Sequence, residues 1–470
     1  MEERGREIIR NTIIYAIGNL GSRVLSFIMV PLYSYYLSKD EFGFYDLVVT
    51  TVTLLVPLIT MQLSDSIFRW LLDSKDNEEL KESVITNAWL LVFFNIVIAA
   101  LVLLTGLFFG LRQYGVLLVL LATSAILPVI QLSVRGLQEN RLFAMSGIIF
   151  SAVLLIFNVL LLTVFSMGVT ALFISTIFAN IAASIFLVYK KNLFRYFKLH
   201  RFSIKQIGEL LKYSWPLVPN TISWWLISSA NKYIILGYLG MDANGIYGVA
   251  NRFPAIMVMI DSVLIMAWQE SAILNFHHKD RDAFFSKVFN KMVIMQLSAA
   301  LLLALCSKFI IGILISPGFF DAWRYMPILF LAVAFSTFSG FYGTIYLTLK
   351  STRKIFLTTL VAGIINLLVA LLLVRYCKLF GVATGTLLGF ISLYLIRVFD
   401  TRKHLRVSLE LKPLMGFLIL FVCSFVVLYV YESDLLIWVL LVISLLYTFF
   451  INMPMLQQTF GLIKAKLGRS

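Results

Sequence analysis

The sequence predicts an all-α polytopic membrane protein of about 14 transmembrane helices, with both termini on the cytoplasmic side. Three observations carry that class. Of the 470 residues, 60% are hydrophobic and 13% charged, with a mean hydropathy of +0.92, whereas an ordinary soluble domain carries about 25% charged residues. Apolar runs long enough to cross a hydrocarbon core of about 30 Å recur from one end of the chain to the other, each broken by a short polar cluster. Lys and Arg gather on alternate connections between these runs. The composition excludes a single water-soluble domain. The alternation changes a net charge of +15 from a nucleic-acid signal into a topology signal.

The spans follow in order. Span one (11–37) comes after the charged stretch Glu2 to Arg10, and span two (44–72) after Lys39-Asp40-Glu41. Span three (84–111) follows the polar run Lys75 to Ser83, span four (114–138) is set off by Arg112-Gln113, and span five (143–166) by Glu139-Asn140-Arg141. Span six (169–189) starts past Gly168, and span seven (213–236) follows the basic connection Lys190 to Lys212. Spans eight (243–274), nine (288–315) and ten (325–349) are separated by the clusters at His277 to Lys287 and Pro317 to Arg324. Spans eleven (355–374), twelve (380–399), thirteen (413–431) and fourteen (435–454) complete the set.

With a cytoplasmic N-terminus, 29 of the 39 Lys and Arg residues fall on the cytoplasmic side. They include the run Lys190, Lys191, Arg195, Lys198, Arg201, Lys205 and Lys212, and the group Arg397, Arg402, Lys403, Arg406 and Lys412. Five fall outside (Lys39, Arg112, Arg324, Arg375 and Lys378), and the remaining five, Arg23, Arg69, Lys232, Arg252 and Lys308, are assigned to span interiors. The cytoplasmic cations face anionic headgroups of the inner leaflet, so anionic lipids are expected partners and nucleic acid is not.

No cleavable signal peptide is expected, because the first span is too long, holds Arg23 and lacks a small-residue cleavage site. Cys306, Cys377 and Cys423 lie in or beside apolar runs, and His200, His277, His278 and His404 lie in basic connections. Neither set has the spacing of a disulfide framework or a metal site, and no cofactor is expected.

An internal repeat is readable at an offset of 202 residues. Tyr36, Leu37, Asp40, Gly43 and Tyr45 align with Tyr238, Leu239, Asp242, Gly245 and Tyr247. A weaker echo pairs Leu137 and Arg141 with Leu349 and Arg353. The strong echo joins spans one and two in one copy and spans seven and eight in the other. Six spans separate the copies, so both insert in the same orientation, the parallel repeat of a two-lobed transporter.

Asn11-Thr12, Pro31-Leu32-Tyr33, the segment 37–45 and the segment from Asn231-Lys232-Tyr233 to Gly245-Ile246-Tyr247 resemble one branch of a transporter superfamily. That branch is the polysaccharide transporters, or oligosaccharide flippases, of the multidrug/oligosaccharidyl-lipid/polysaccharide (MOP) exporter superfamily. The resemblance implies two six-helix lobes facing each other in a V, with spans one and seven flanking a central cavity. Spans thirteen and fourteen look like those of the fourteen-span members, among them the lipid II flippase. The implied organisation is an N-lobe at 1–209, a C-lobe at 210–408, and a last helix pair with a basic tail at 409–470. The implied activity is movement of an undecaprenyl-diphosphate-linked oligosaccharide from the inner to the outer leaflet of a bacterial cytoplasmic membrane. Polysaccharide-assembly enzymes are its implied partners.

Charged side chains inside a bilayer cost roughly 2.5 to 3.5 kcal/mol each on insertion scales, so they point to a polar cavity or to pairing. Asn11, Tyr15, Asn19 and Arg23 form a stripe at i+4 steps along span one, either a seam between helices or a cavity lining in which Arg23 holds the diphosphate. Arg69 follows Asp65 by four residues, the spacing of an intrahelical ion pair, and is either that pair's cation or a substrate-binding cavity residue. Arg252, beside Asn251 and just before Pro254, is the second-lobe counterpart. Lys232 is either a cavity cation or a snorkelling anchor, and Lys308 reads as a snorkelling or packing residue.

Pro216 and Pro219 open span seven and are read as its hinge, with Gly18 and Gly21 supplying looseness in span one. Asp65 and Asp261 are the acidic candidates for sodium or proton coupling. A drug or metabolite antiporter of the MATE type shares the implied fold. A membrane enzyme would need catalytic groups in the outer connections, which are short and lack His.

Overall fold

The computed structural model describes residues 27–74, 77–104, 114–276, 278–349 and 351–467. Among these the chain is helical, with no strand, and ten helices are long and apolar enough to cross a membrane. The polar stripe of span one, with Asn11, Tyr15, Gly18, Asn19, Gly21 and Arg23, lies outside the described residues. The chain forms two compact units, Met1–Trp225 and Leu226–Ser470. The division falls inside a helix of span seven rather than between 209 and 210, and the last two spans belong to the second unit.

The first unit holds α1 (27–36), α2 (Lys39–Thr60), α3 (Leu63–Asp73), α4 (Glu78–Leu104), α5 (Tyr114–Gly136), α6 (Asn140–Val159), α7 (Val169–Lys191), α8 (Ile204–Ser214) and most of α9 (Leu217–Ser228). Helix α2 starts where a capping box can form: the Glu41 N–H donates to Ser38 Oγ (3.2 Å), and the Ser38 N–H donates to Glu41 Oε2 (3.0 Å). Span two then breaks at Met61 and Gln62, both left-handed with φ of 49° and 54°. Two consecutive non-glycine residues in that region are strained, and the surroundings must hold them there. Asn95 Nδ2 donates to the Ile59 carbonyl before the break (2.8 Å), and Gln62 Nε2 donates to Thr221 Oγ1 (2.6 Å).

Below the break, Leu63, Ile67 and Leu71 of α3 bury against Val84, Ile85 and Ala88 of α4, and against Val134, Leu187 and Leu210. Gly136 lets α5 approach this face, since a Cβ there would sit 2.8 Å from Leu71 Cβ. The connection after span six is fastened to α4 by Thr86 and Asn87, which bond the backbone at Tyr196, Lys198, Arg201 and Ser203. It leads into α8, a short helix capped by Ser203 that exposes Ile204, Lys205 and Lys212, as suits a helix lying at a membrane surface.

The second unit holds α10 (Asn231–Leu239), α11 (Met241–Arg252), α12 (Pro254–Asn275), α13 (Arg281–Leu314), α14 (Met326–Thr348), α15 (Thr352–Thr401), α16 (Leu411–Val426) and α17 (Asp434–Leu467). Helix α11 starts at Met241, 202 residues after the start of α2 at Lys39, so the sequence repeat coincides with a repeated helix start. Helix α15 joins the expected spans eleven and twelve across a kink at Lys378 (φ 49°, ψ −130°). Its two halves lie close because Gly385 and Gly389 face Asn366, where a Cβ would meet the Asn366 carbonyl oxygen at 2.9 Å and Asn366 Cβ at 2.7 Å.

An aromatic core fills this unit, with Trp268 stacked on Phe341 at 4.4 Å, and Phe285, Phe289 and Tyr394 packed around them. Helices α16 and α17 are tied on by Lys308, whose Nζ lies 2.5 Å from Asp434, and by Asn452, whose amide donates to Ser298 Oγ (3.0 Å). Lys308 is thus an ion-pair partner rather than a lone snorkelling cation. The outward faces of α4 and α17 expose Phe93, Phe94, Leu435, Trp438 and Phe450, the surface of a multi-pass membrane protein in contact with lipid.

Candidate functional site

In the first unit the charged candidates sit on α3. Arg69 does not pair with Asp65; its guanidinium lies 3.3 Å from Asp73, and both partners are exposed. The i,i+4 spacing serves either direction along a helix. Asp73 in the last turn of α3 prevails, and among the described residues Asp65 has no ion pair within 4 Å; Arg135 is the cation that acts on it.

In the second unit, span seven is interrupted at Ser229–Ala230, between α9 and α10. Pro216 sits in the turn between α8 and α9, and Pro219 lies in the first turn of α9, where a missing N–H costs no helical hydrogen bond. The prolines therefore mark the entry to the span, and the discontinuity lies farther on. A buried polar knot holds it. Asn231 Nδ2 donates to Asn366 Oδ1 and to Thr386 Oγ1, both at 2.9 Å, while Asn366 Nδ2 donates to the Ile227 carbonyl (2.9 Å). Tyr247 OH shares a hydrogen bond with Thr386 Oγ1 (3.2 Å). The knot thus satisfies a carbonyl at the end of α9 and anchors the start of α10. Among the described residues, Asn231 Oδ1 is buried with no hydrogen-bond partner. Sequence reading passed over Asn366 and Thr386; the available signal was a lone Asn and a Gly-x-x-x-Gly pattern within otherwise apolar runs.

Lys232 follows the interruption directly and is half-buried. Asn251 and Arg252 are half-buried too, at the end of α11, where a cation complements the helix dipole. Pro254 opens a new helix, α12, so Arg252 and Asp261 stand on separate helices and their register is not fixed by one continuous turn count.

Asp261 is 6% exposed and does not meet Arg252. Its two carboxylate oxygens accept from Gln296 Nε2 on α13 and from Thr337 Oγ1 on α14. No Lys, Arg or His lies within 4 Å of it among the described residues. The opposite case is Arg397, counted by sequence with the cytoplasmic cations but 1% exposed inside the unit. It donates to the Ser339 carbonyl (2.9 Å), Thr358 Oγ1 (3.3 Å) and Thr359 Oγ1 (3.0 Å), all neutral acceptors.

Residues 8–273 match the family model described as polysaccharide biosynthesis protein. No curated protein sequence matches the chain. Among solved structures, a multidrug resistance MATE family transporter of the MOP superfamily in its inward-facing conformation is similar with a TM-score of 0.68 at 14% identity. That alignment covers 83% of this chain and 97% of the other. The lipid II flippase MurJ in its inward closed conformation is similar with a TM-score of 0.68 at 15% identity, covering 94% of this chain and 100% of the other. A MOP superfamily transporter from Pyrococcus furiosus gives a TM-score of 0.53 at 14% identity, over 84% and 95%. These likenesses establish the fold.

Proposed function

The chain belongs to the polysaccharide biosynthesis protein family, and from that membership we propose that it translocates a polyprenyl-diphosphate-linked oligosaccharide across the bacterial cytoplasmic membrane by alternating access. The family match is the observation that carries this reading. The fold supports it further, since the alignment with a lipid II flippase takes in 94% of the chain and that with a MATE transporter 83%. The MATE-type antiporter is the second reading, and it leaves more of the chain unexplained.

In this reading Arg252 and Lys232 hold the diphosphate, because cations carried to membrane depth suit phosphate oxygens. The interruptions of span two at Met61–Gln62, of span seven at Ser229–Ala230 and of span eight at Phe253 are where the helices bend during the access change. We assign coupling to Asp261, a buried carboxylate with two neutral partners. It can take a proton or a sodium ion from solution without breaking an ion pair. Asp65, exposed on α3, is the weaker candidate.

Complementation of a strain lacking its own flippase tests the substrate role. Arg252→Ala and Lys232→Ala should each reduce surface polysaccharide severely at unchanged membrane abundance. Full activity in both would overturn the diphosphate assignment.

A further inference from the structure

We propose that the second unit carries a binding site for the phosphate of an anionic glycerophospholipid headgroup, formed by Arg402, Lys403 and Arg406 over Tyr342 and independent of the translocation reading. The three cations line a cavity of about 800 Å³ at the end of α15, on the side that the charge distribution assigns to the cytoplasm. Tyr342 is buried at 4% exposure and contributes to its wall, and Phe399 stands at the rim, 65% exposed.

Charge balance points to an anion. None of the three cations lies within 4 Å of a carboxylate oxygen among the described residues. The neighbouring acid, Asp400, is already held by Lys354, with Nζ at 3.0 and 2.9 Å from its two oxygens. Tyr346 also acts on Asp400, and Lys403 does so only from beyond 4 Å.

The walls are built, not loose. Leu405 is buried, and its N–H bonds the Thr401 carbonyl (3.0 Å). The segment that follows is pinned to α13, where the Ser408 N–H donates to Ser286 Oγ (2.9 Å) and the Glu410 N–H to Asn290 Oδ1 (3.0 Å). Orientation of a topology requires only that cations lie on one side. It does not require that three of them converge on one cavity with fixed walls.

A lipid is favoured over a soluble anion by Phe399 and by Val398, Leu405 and Val407, which place apolar surface against the cations. A ligand with an anionic head and acyl chains satisfies both, and basic pockets on the cytoplasmic side of membrane helices take such headgroups. A bulk glycerophospholipid is the source assigned, because the anionic inner leaflet presents it at high local concentration.

Native mass spectrometry of the purified full-length chain, titrated with phosphatidylglycerol in detergent, tests this. The triple variant R402A/K403A/R406A should retain one lipid fewer and bind phosphatidylglycerol on the order of a hundredfold more weakly. The charge-matched K190A/K205A/K212A, which removes exposed cations from the first unit, should retain it. The single variant R406Q, which removes no hydrogen bond or ion pair among the described residues, should weaken binding roughly fivefold and guards against misfolding of the triple variant. Equal loss in the charge-matched control would reduce the site to a diffuse basic surface. Full displacement by inorganic phosphate or diphosphate would make it a soluble-anion site, and retention of a polyprenyl diphosphate but not of phosphatidylglycerol would make it a substrate site. Each of these results, or unchanged binding in both pocket variants, overturns the proposal.

Discussion

Asn87 and Asn290 make the same three hydrogen bonds, each inside its own unit. The side-chain N–H of each donates to the carbonyl four residues earlier, Ser83 or Ser286, and to a carbonyl in the connection after the last span of its bundle, Arg201 or Ser408. Each Oδ1 then accepts the backbone N–H two residues beyond, at Ser203 or Glu410, with all six distances between 2.7 and 3.0 Å. An Asn that reads both a carbonyl and an N–H of a passing segment does for an irregular stretch what a β-ladder neighbour would do. The duplication that the sequence shows at 36–45 and 238–247 thus extends to side-chain chemistry carried by a short Ser-x-x-x-Asn string, Ser83 to Asn87 and Ser286 to Asn290.

Asn87→Ala and Asn290→Ala should each release their own connection, since truncation leaves a backbone carbonyl and an N–H of that connection without this partner. The expected loss is about 1–3 kcal/mol for each. Thermal unfolding in detergent measures it, and new protease cleavage should appear at 192–203 in the first variant and at 405–410 in the second.

Asp261→Asn keeps the volume and one acceptor of the carboxylate but cannot exchange a proton. In proteoliposomes the variant should fold, bind substrate and lose the response of transport to an imposed proton or sodium gradient. An unchanged response would move coupling elsewhere.

Arg397 offers a test with an unusual order of effects. Its acceptors keep other partners without it: Thr358 and Thr359 also bond the carbonyls of Lys354 and Ile355. Replacement by Met therefore strands little and removes the cost of burying a cation with no counter-charge, so R397M should lie within about 1 kcal/mol of the native chain. R397K keeps the charge but cannot span three acceptors, and it should lose about 2–3 kcal/mol. Melting temperatures in one detergent settle the order.

Gly389→Val should disturb α15, because its first carbon would meet Asn366 Cβ at 2.7 Å. Overpacking of about 1–3 kcal/mol is expected, seen as reduced membrane abundance. Gly208→Val, with no heavy atom within 4 Å of the added carbon, provides the control.

The connection fastened to α4 should loosen in acid. Glu78 accepts from Lys81 at 2.7 Å and reaches Arg195 of that connection at 3.6 Å, and these contacts, against some burial, hold its carboxyl below the ordinary value of 4.5. A carboxylate lowered by folding stabilises the fold above its unfolded value, and the contribution is lost as pH falls through the folded value. Cleavage at 192–203 by an acid protease should therefore rise only below about pH 4.5. The change should be small, because the pair is exposed and surface pairs contribute about 0–1 kcal/mol.

Hydropathy made the membrane class and the repeat legible, because both depend on long runs and on a string of matched residues. It could not separate a polar side chain facing a cavity from one buried between helices, since each sits in the same kind of apolar run. Asp261 is legible in the sequence as an acid within an apolar run, but its partners Gln296 and Thr337 come from other helices and leave no local spacing. Arg397 looked cytoplasmic because Asp400, Arg402 and Lys403 follow it, yet the end of the helix falls after it. Arg69 was matched to the wrong acid, since Asp65 and Asp73 stand at equal distances along the chain. The prolines of span seven were visible and the interruption was not, because the chain breaks at Ser229–Ala230 through hydrogen bonds supplied from Asn366.

The knot of Asn231, Asn366, Thr386 and Tyr247 contains no formal charge. Opening it exchanges one set of neutral hydrogen bonds for another, so its equilibrium is nearly indifferent to ionic strength and to protons across the physiological range. Its clock would be set by temperature and by what sits on α10. Under the proposed coupling role of Asp261, the second unit separates two kinds of sensitivity: a joint that ignores the chemistry of the medium, and a carboxylate that answers to it.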